Sequence, residues 1–215
     1  MRTESIALLA TLLGATSAAA IAQSPARPGK FYVGLQAGQS ELDRERSDLN
    51  VVFDDHDNAF TLLAGYRFSR FYALEAGYTD LGEFTAEFRN PCVGVPGVVC
   101  PPDIGKTAIE SFFINNIVVW PIADHFHLKA VLGMNWHELS GSLARASGST
   151  NNFSDSSGSY NFGLGIGVPV NGRLELGLDV TMYRALTFGF NFNDAFSLVY
   201  EPDATIAMLG VRYRF

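Results

Sequence analysis

The chain has 215 residues, a formal net charge of −7, 17% charged and 47% hydrophobic residues, 17 Phe and 21 Gly. An acidic chain without a basic tract excludes nucleic acid as a partner. Past the N-terminus no apolar run approaches the ~20 residues of a membrane-crossing helix, and the length fits one domain.

Arg2 precedes the apolar stretch Ile6 to Leu13, and a small-residue segment then ends in Ala20-Ile21-Ala22. That order predicts a secretory signal peptide over 1–22, cut before Gln23, and a mature domain over 23–215. Thr, Gly and Ser dilute the stretch too far for a helical anchor. No Cys stands at the cut, so no lipid-modified N-terminus is expected. In a membrane this chain must then cross as a closed barrel, the other fold that satisfies every backbone group in lipid.

Period-2 alternation predicts eight strands. The first, about 30–40, sets Phe31, Val33, Leu35 and Ala37 on one face and Tyr32, Gly34, Gln36 and Gly38 on the other. The second, about 59–68, sets Phe60, Leu62, Ala64, Tyr66 and Phe68 against Thr61, Gly65 and Arg67. Ser69-Arg70 turns into the third, about 71–80, with Leu74, Ala76 and Tyr78 opposite Glu75, Gly77 and Thr79. The fourth, about 109–120, alternates poorly, and Pro121 to Asp124 turns it. The fifth, about 126–138, sets Phe126, Leu128, Ala130, Leu132, Met134 and Trp136 against His127, Lys129, Gly133, Asn135 and His137. The sixth, about 158–168, carries Asn161, Gly163, Gly165 and Gly167 on its small face. Asn171-Gly172 is a hairpin signal. The seventh begins near 173, with Glu175, Gly177, Asp179 and Thr181 opposite Leu174, Leu176, Leu178, Val180 and Met182. The eighth spans about 204–215.

Short turns follow the second, fourth and sixth strands, and long connections follow the others. That alternation is the plan of an outer-membrane barrel, apolar outside and polar within. A soluble lipocalin-like barrel would reverse the faces. The eighth strand ends on alternating Leu209, Val211, Tyr213 and Phe215. It resembles the terminal strand of bacterial outer-membrane barrels, where this pattern is an assembly signal. The resemblance implies periplasmic chaperones and the barrel-insertion machinery as assembly partners.

Tyr72-Ala73-Leu74-Glu75-Ala76-Gly77-Tyr78-Thr79-Asp80-Leu81-Gly82 resembles the third-strand motif of the OmpA-type and OmpX-like eight-stranded barrels. Trp120-Pro121-Ile122-Ala123-Asp124 through Leu132-Gly133-Met134 is similar to the family's second turn and fifth strand. The resemblance implies an all-β, transmembrane, antiparallel up-and-down barrel in the bacterial outer membrane. Family roles range over structural anchors, adhesins, complement-resistance factors and weak pores. No peptidoglycan-binding domain is expected after the barrel. In the family an inward Glu of the third strand joins an interior network, and Glu75 matches it. The family's inward Arg of the fifth strand is unmatched, with Val131 near that place and Lys129 one inward step away.

Candidate functional residues fall in two groups. Arg67, Glu75, Lys129, Glu175, Asp179, Arg212 and Arg214 are predicted to point inward, where buried charges must be paired. The network is expected to be structural, with an ion gate as the alternative. The other group lies on the connections. Asp54-Asp55-His56-Asp57 in the acidic first connection (41–59) offers hard oxygens but no EF-hand spacing, and no metal or cofactor is expected. Cys92 and Cys100 in the second connection (81–108) are expected to form a disulfide in an exported protein. The Ser-, Gly- and Asn-rich third connection (139–157) reads as a solvated loop. In the fourth, Phe188, Phe190, Phe192 and Phe196 form an apolar stripe on a hairpin continuing the seventh and eighth strands. Such a stripe suits lipopolysaccharide or a host or surface protein. An enzyme is not expected, because His56, His125, His127 and His137 assemble no nucleophile, base and orienter in the sequence. The expected role is membrane integrity and surface interaction, with a narrow channel for ions or small solutes as the alternative.

Overall fold

The structure, a computed structural model, describes residues 31–43, 51–88, 101–123, 125–146, 148–184, 188–193, 196–200 and 203–215. The strands are β1 (Phe31–Asp43), β2 (Val51–Asp54), β3 (His56–Arg67), β4 (Tyr72–Phe88), β5 (Asp103–Ala123) and β6 (Phe126–Ala144). They continue with β7 (Thr150–Pro169), β8 (Leu174–Arg184), β9 (Phe188–Asn193), β10 (Phe196–Tyr200) and β11 (Asp203–Arg214). Eight of them, β1, β3, β4, β5, β6, β7, β8 and β11, pair antiparallel in a closed ring, sealed by β1 against β11 and by β4 against β5. The short β2 adds to the outer end of β4, and β9 and β10 pair with each other as a separate two-stranded sheet.

The register fixes the shape of the ring. Tyr32 pairs with Gly65, which leads through Glu75, Asn115, Gly133, Asn161, Tyr183 and Ala204 back to β1 at Leu42. The ladder thus returns ten residues further along β1 than it began. With eight strands and ordinary strand spacing, that shear tilts the strands roughly 40° from the barrel axis. The lumen is then only wide enough for side chains.

Alternation sets the two faces as expected. Phe31, Leu62, Phe112, Trp120, Leu132, Leu164, Leu209 and Phe215 all point outward into a continuous apolar belt. Aromatic rings line one rim, with Phe31 on Tyr66 (4.6 Å), Tyr66 on Phe68 (4.8 Å) and Tyr213 on Phe215 (5.4 Å). At the other end of the belt Tyr78 meets Phe112 (5.2 Å). Aromatic girdles flanking an apolar band are the marks of a barrel seated in lipid. The short turns lie at the first rim. The Asn171 carboxamide oxygen there accepts the N–H groups of Arg173 and Leu174, both at 2.8 Å.

The structure corrects two expectations. Strands β4, β5, β6 and β7 run 17, 21, 19 and 20 residues, well beyond the expected boundaries, against 11 to 13 for β1, β3, β8 and β11. Much of the expected second and third connections is therefore sheet. Above the lipid both faces of a strand are wetted, so polar residues on both sides erase the alternation while the backbone ladder persists. Gly82 illustrates this: its φ of +92° absorbs a bulge between Asp80 and Glu83, and the strand goes on. In the fourth connection β9 follows β8, β10 precedes β11, and β9 and β10 pair with each other as a hairpin. The β8–β11 pairing is described as far as Tyr183 and Ala204, and residues 185–187 and 201–202 between these strands and the hairpin lie outside the described residues.

Second, the interior is not uniformly polar. Leu42, Leu81, Phe84, Ile109, Leu139, Tyr183, Ile206 and Met208 form a buried apolar collar toward the outer end of the lumen. Tyr32, Leu63, Ala73, Phe113, Ile117 and Val119 form a second cluster lower down. A lumen too narrow for bulk water accepts apolar side chains as any core does. The blurred alternation near 109–120 arises here. Inward Phe113, Ile117 and Val119 are apolar, while outward Asn116 is polar and accepts from the Tyr72 hydroxyl at 2.6 Å.

Candidate functional site

The candidate site is the lower lumen, where β1, β3, β4, β6, β8 and β11 bring inward charges together. Glu75, Lys129, Glu175, Asp179 and Arg212 are all buried, and Arg67 is half-buried near the turn rim. Arg212 is the hub. Its Nε donates to Glu75 Oε1 (3.2 Å) and its Nη2 to Asp179 Oδ2 (2.9 Å). Lys129 Nζ lies 2.8 Å from Asp179 Oδ1. The Tyr32 hydroxyl donates to Glu75 Oε1 (2.8 Å) and Gln36 Nε2 to Asp179 Oδ2 (2.5 Å). A second group joins Glu175 to His127 Nε2 (3.1 Å) and to the Arg214 guanidinium. Among the described residues Arg67 forms no ion pair with a carboxylate, and its buried Nε has no hydrogen-bond partner.

Small residues make these contacts possible. A Cβ on Gly165 would lie 1.9 Å from Asp179 Oδ1, and one on Gly167 would lie 2.0 Å from His127 Nε2. The inward glycines of β7 thus give the charged side chains of β6 and β8 their room.

The charges are packed rather than open. A cavity of about 30 Å³ lies above Arg212 between Glu75, Asn115, Asp179 and Tyr183. Another of about 10 Å³ lies below it among Tyr32, Arg67, Lys129, Glu175 and Arg214. Each has room for about one water. The apolar collar packs above them, with Tyr183, Ile206 and Met208 also on the wall of the upper cavity.

Sequence reading missed several partners. Alternation places Tyr32 and Gln36 inward without marking them as ligands of the charges, because hydrogen-bond reach across a closed ring depends on shear. His137 Nε2 lies 2.6 Å from Ser159 Oγ, but both are buried and His137 Nδ1 has no partner to orient it. In the first connection Asp57 is used locally. Its Oδ2 accepts the Glu83 N–H at 2.5 Å, and its Oδ1 accepts that of Asn58 at 2.7 Å. His56 Nδ1 lies 2.6 Å from Asp55 Oδ1. Among the described residues no three His, Cys, Asp or Glu side chains converge as metal ligands. Cys92 and Cys100 lie outside the described residues, as do residues 1–30 with the expected signal peptide. The backbone pairs Phe188 with Tyr200 and Phe190 with Leu198, but the orientation of the Phe188, Phe190, Phe192 and Phe196 side chains lies outside the described features. Leu209 and Tyr213 face outward at the β1–β11 seam with Phe215 at its end.

Comparison with solved structures finds the same barrel. Ail, the attachment invasion locus protein of Yersinia pestis, solved with the heparin analogue sucrose octasulfate, is 15% identical with a TM-score of 0.51. The match covers 87% of this chain and 99% of Ail. The outer membrane protein OprG of Pseudomonas aeruginosa is 14% identical with a TM-score of 0.55, over 87% of this chain and 97% of OprG. Neisserial surface protein A is 18% identical with a TM-score of 0.51, over 86% of this chain and 97% of that one. Comparison with curated protein sequences gives no match. A family model, the OmpA-like transmembrane domain, matches residues 26–215. The protein resides in the bacterial outer membrane, and the chain belongs to the OmpA-like transmembrane domain family.

Proposed function

We propose that this barrel is a non-catalytic membrane anchor whose role is exercised at its outer face, in membrane integrity and in contact with lipopolysaccharide or a surface or host protein. The observation that carries this reading is the sealed lumen under a long outer sheet. Arg212 ties β11 to β4 and β8, and the apolar collar fills the space above it. Meanwhile β4 to β7 carry their ladder far past the lipid belt and hold up the connections. A ~9–11 residue crossing uses only about half of β5. Ail, a barrel of this fold, was solved with a heparin analogue, which supports ligand binding by such a barrel but not the same ligand here. On the outer side Glu41, Glu83, Glu110, Glu138 and Asp203 outnumber Lys106, Arg145 and Arg184, which favours cationic over sulfated partners.

A narrow channel is the second reading. Buried Ser111, Asn135 and Asn161 carry polar atoms without hydrogen-bond partners, which favours internal water. The test is current through the refolded mature protein in a planar bilayer, with heat-modifiable gel migration to establish folding. A folded barrel without current is the expected result. Discrete, reproducible openings would overturn the sealed-lumen reading and put the channel first.

A further inference from the structure

We propose that the lower lumen binds a small monovalent anion, of the chloride class, in the cavity between Arg67 and Arg212. The first argument is charge. Among the described residues, four cations point into this part of the lumen, Arg67, Lys129, Arg212 and Arg214, against three carboxylates, Glu75, Glu175 and Asp179. Each carboxylate is already held by a cation: Glu75 by Arg212, Asp179 by Arg212 and Lys129, Glu175 by Arg214. Arg67 is left over. A cation in a narrow lumen without an ion-pair partner of its own leaves positive charge in excess there, so the lumen favours taking up an anion.

The second argument is unspent donors. Arg212 is 5% exposed, yet its Nη1 is buried without a hydrogen-bond partner, and so is Arg67 Nε. Arg212 Nη1 and Lys129 Nζ also approach the same glycine. A Cβ on Gly177 would stand 2.7 Å from the first and 3.1 Å from the second. Both belong to cations that share the Asp179 carboxylate, taken up by Lys129 Nζ and Arg212 Nη2, so Arg212 Nη1 keeps an unused donor.

The third argument is space. The cavity lined by Arg67, Lys129, Arg212 and Arg214, with Tyr32, Glu75 and Glu175 also on its wall, measures about 10 Å³, room for one water-sized occupant. A monatomic anion fits after a small relaxation, and sulfate, phosphate or a lipid headgroup does not. Arg67 is half-buried beside the Phe68–Phe71 turn, so an ion reaches it from the turn rim rather than through the collar.

The test uses the refolded mature barrel and sodium chloride. Chlorine-35 NMR should show excess line broadening that saturates with chloride and is displaced by bromide but not by gluconate. Arg67→Gln should lose that broadening, while Arg70→Gln and Arg173→Gln, at exposed turn positions, should keep it. Urea unfolding of the wild-type barrel should need more urea in sodium chloride than in sodium gluconate of equal ionic strength. Broadening that never saturates, or that falls only with the turn arginines, overturns the proposal as surface association. Coincident unfolding curves in the two salts overturn it without any variant.

Discussion

Replacing Arg212 by Met is the sharpest probe of what holds the ring together. The guanidinium donates to Glu75 at 3.2 Å and to Asp179 at 2.9 Å, and all three groups are buried. A charged hydrogen bond is worth about 1.5–3 kcal/mol, and breaking a buried pair from one side costs about 3–5 kcal/mol. Part of that loss is offset. Asp179 keeps Lys129 and Gln36, Glu75 keeps the Tyr32 hydroxyl, and the variant no longer buries an unpartnered Nη1. The expected loss is therefore about 3 kcal/mol, roughly a hundredfold in the unfolding equilibrium. Urea titration in lipid vesicles would read it, by gel migration and by the fluorescence of Trp120 and Trp136. Adding Glu75→Gln to Arg212→Met should cost less than the two single losses combined, because the pair is coupled. A loss below about 1 kcal/mol, or strict additivity of the two changes, would refute the reasoning.

Two further outcomes follow from single residues. Gly165→Val places a Cβ against Asp179 Oδ1, so it should cost about 1–3 kcal/mol in the same titration. An unchanged midpoint would mean that β7 does not set the room for the charges. His56, at the outer end of β3, has its pKa raised above the ordinary 6.5, first by its hydrogen bond to Asp55 and then by the Asp55 and Glu41 charges, with burial opposing. A raised folded pKa stabilises fully below the unfolded value and is lost as pH rises through the folded one. The β1–β3 rim should thus be firmer in mild acid. Proton NMR should show His56 titrating above 6.5 and shifting down in Asp55→Asn; a midpoint at or below 6.5 removes the effect.

Much of this fold is written in local alternation, and what is missing from the sequence is missing for identifiable reasons. Inward and outward residues of β1, β3, β6, β8 and β11 follow period 2, because one face meets lipid and the other does not. The long ends of β4 to β7 leave no such trace, since water wets both their faces. The charged residues of the site are visible as interruptions of an apolar pattern. Their pairing is not, because it depends on a shear of ten residues that no single strand encodes. Arg212 meets Glu75 across 137 residues, and Gln36 meets Asp179 across 143. The collar was hidden for another reason: Ile109 and Leu139 face inward where a polar lining was expected, and they look like ordinary strand residues.

The collar and the charged belt make two seals in series, and a series arrangement has a testable signature. Water and ions must pass both the Arg212 cluster and the packed ring of Leu81, Ile109, Leu139 and Ile206. An apolar constriction stops ions by excluding water, whatever the charges below it do. Arg212→Met alone should therefore give a destabilised barrel that still carries no current. Leu139→Ala alone removes packed methyl groups, costs about 2–5 kcal/mol, and leaves the salt bridges in place. It too should remain silent. Only Arg212→Met with Leu139→Ala should pass ions across a planar bilayer, with gel migration confirming that the barrel is folded. Current from the first single variant would show that the collar is no barrier, and the electrostatic belt would then be the whole gate. Silence in the folded double variant would show that the lumen is filled along its length by packing that neither seal accounts for.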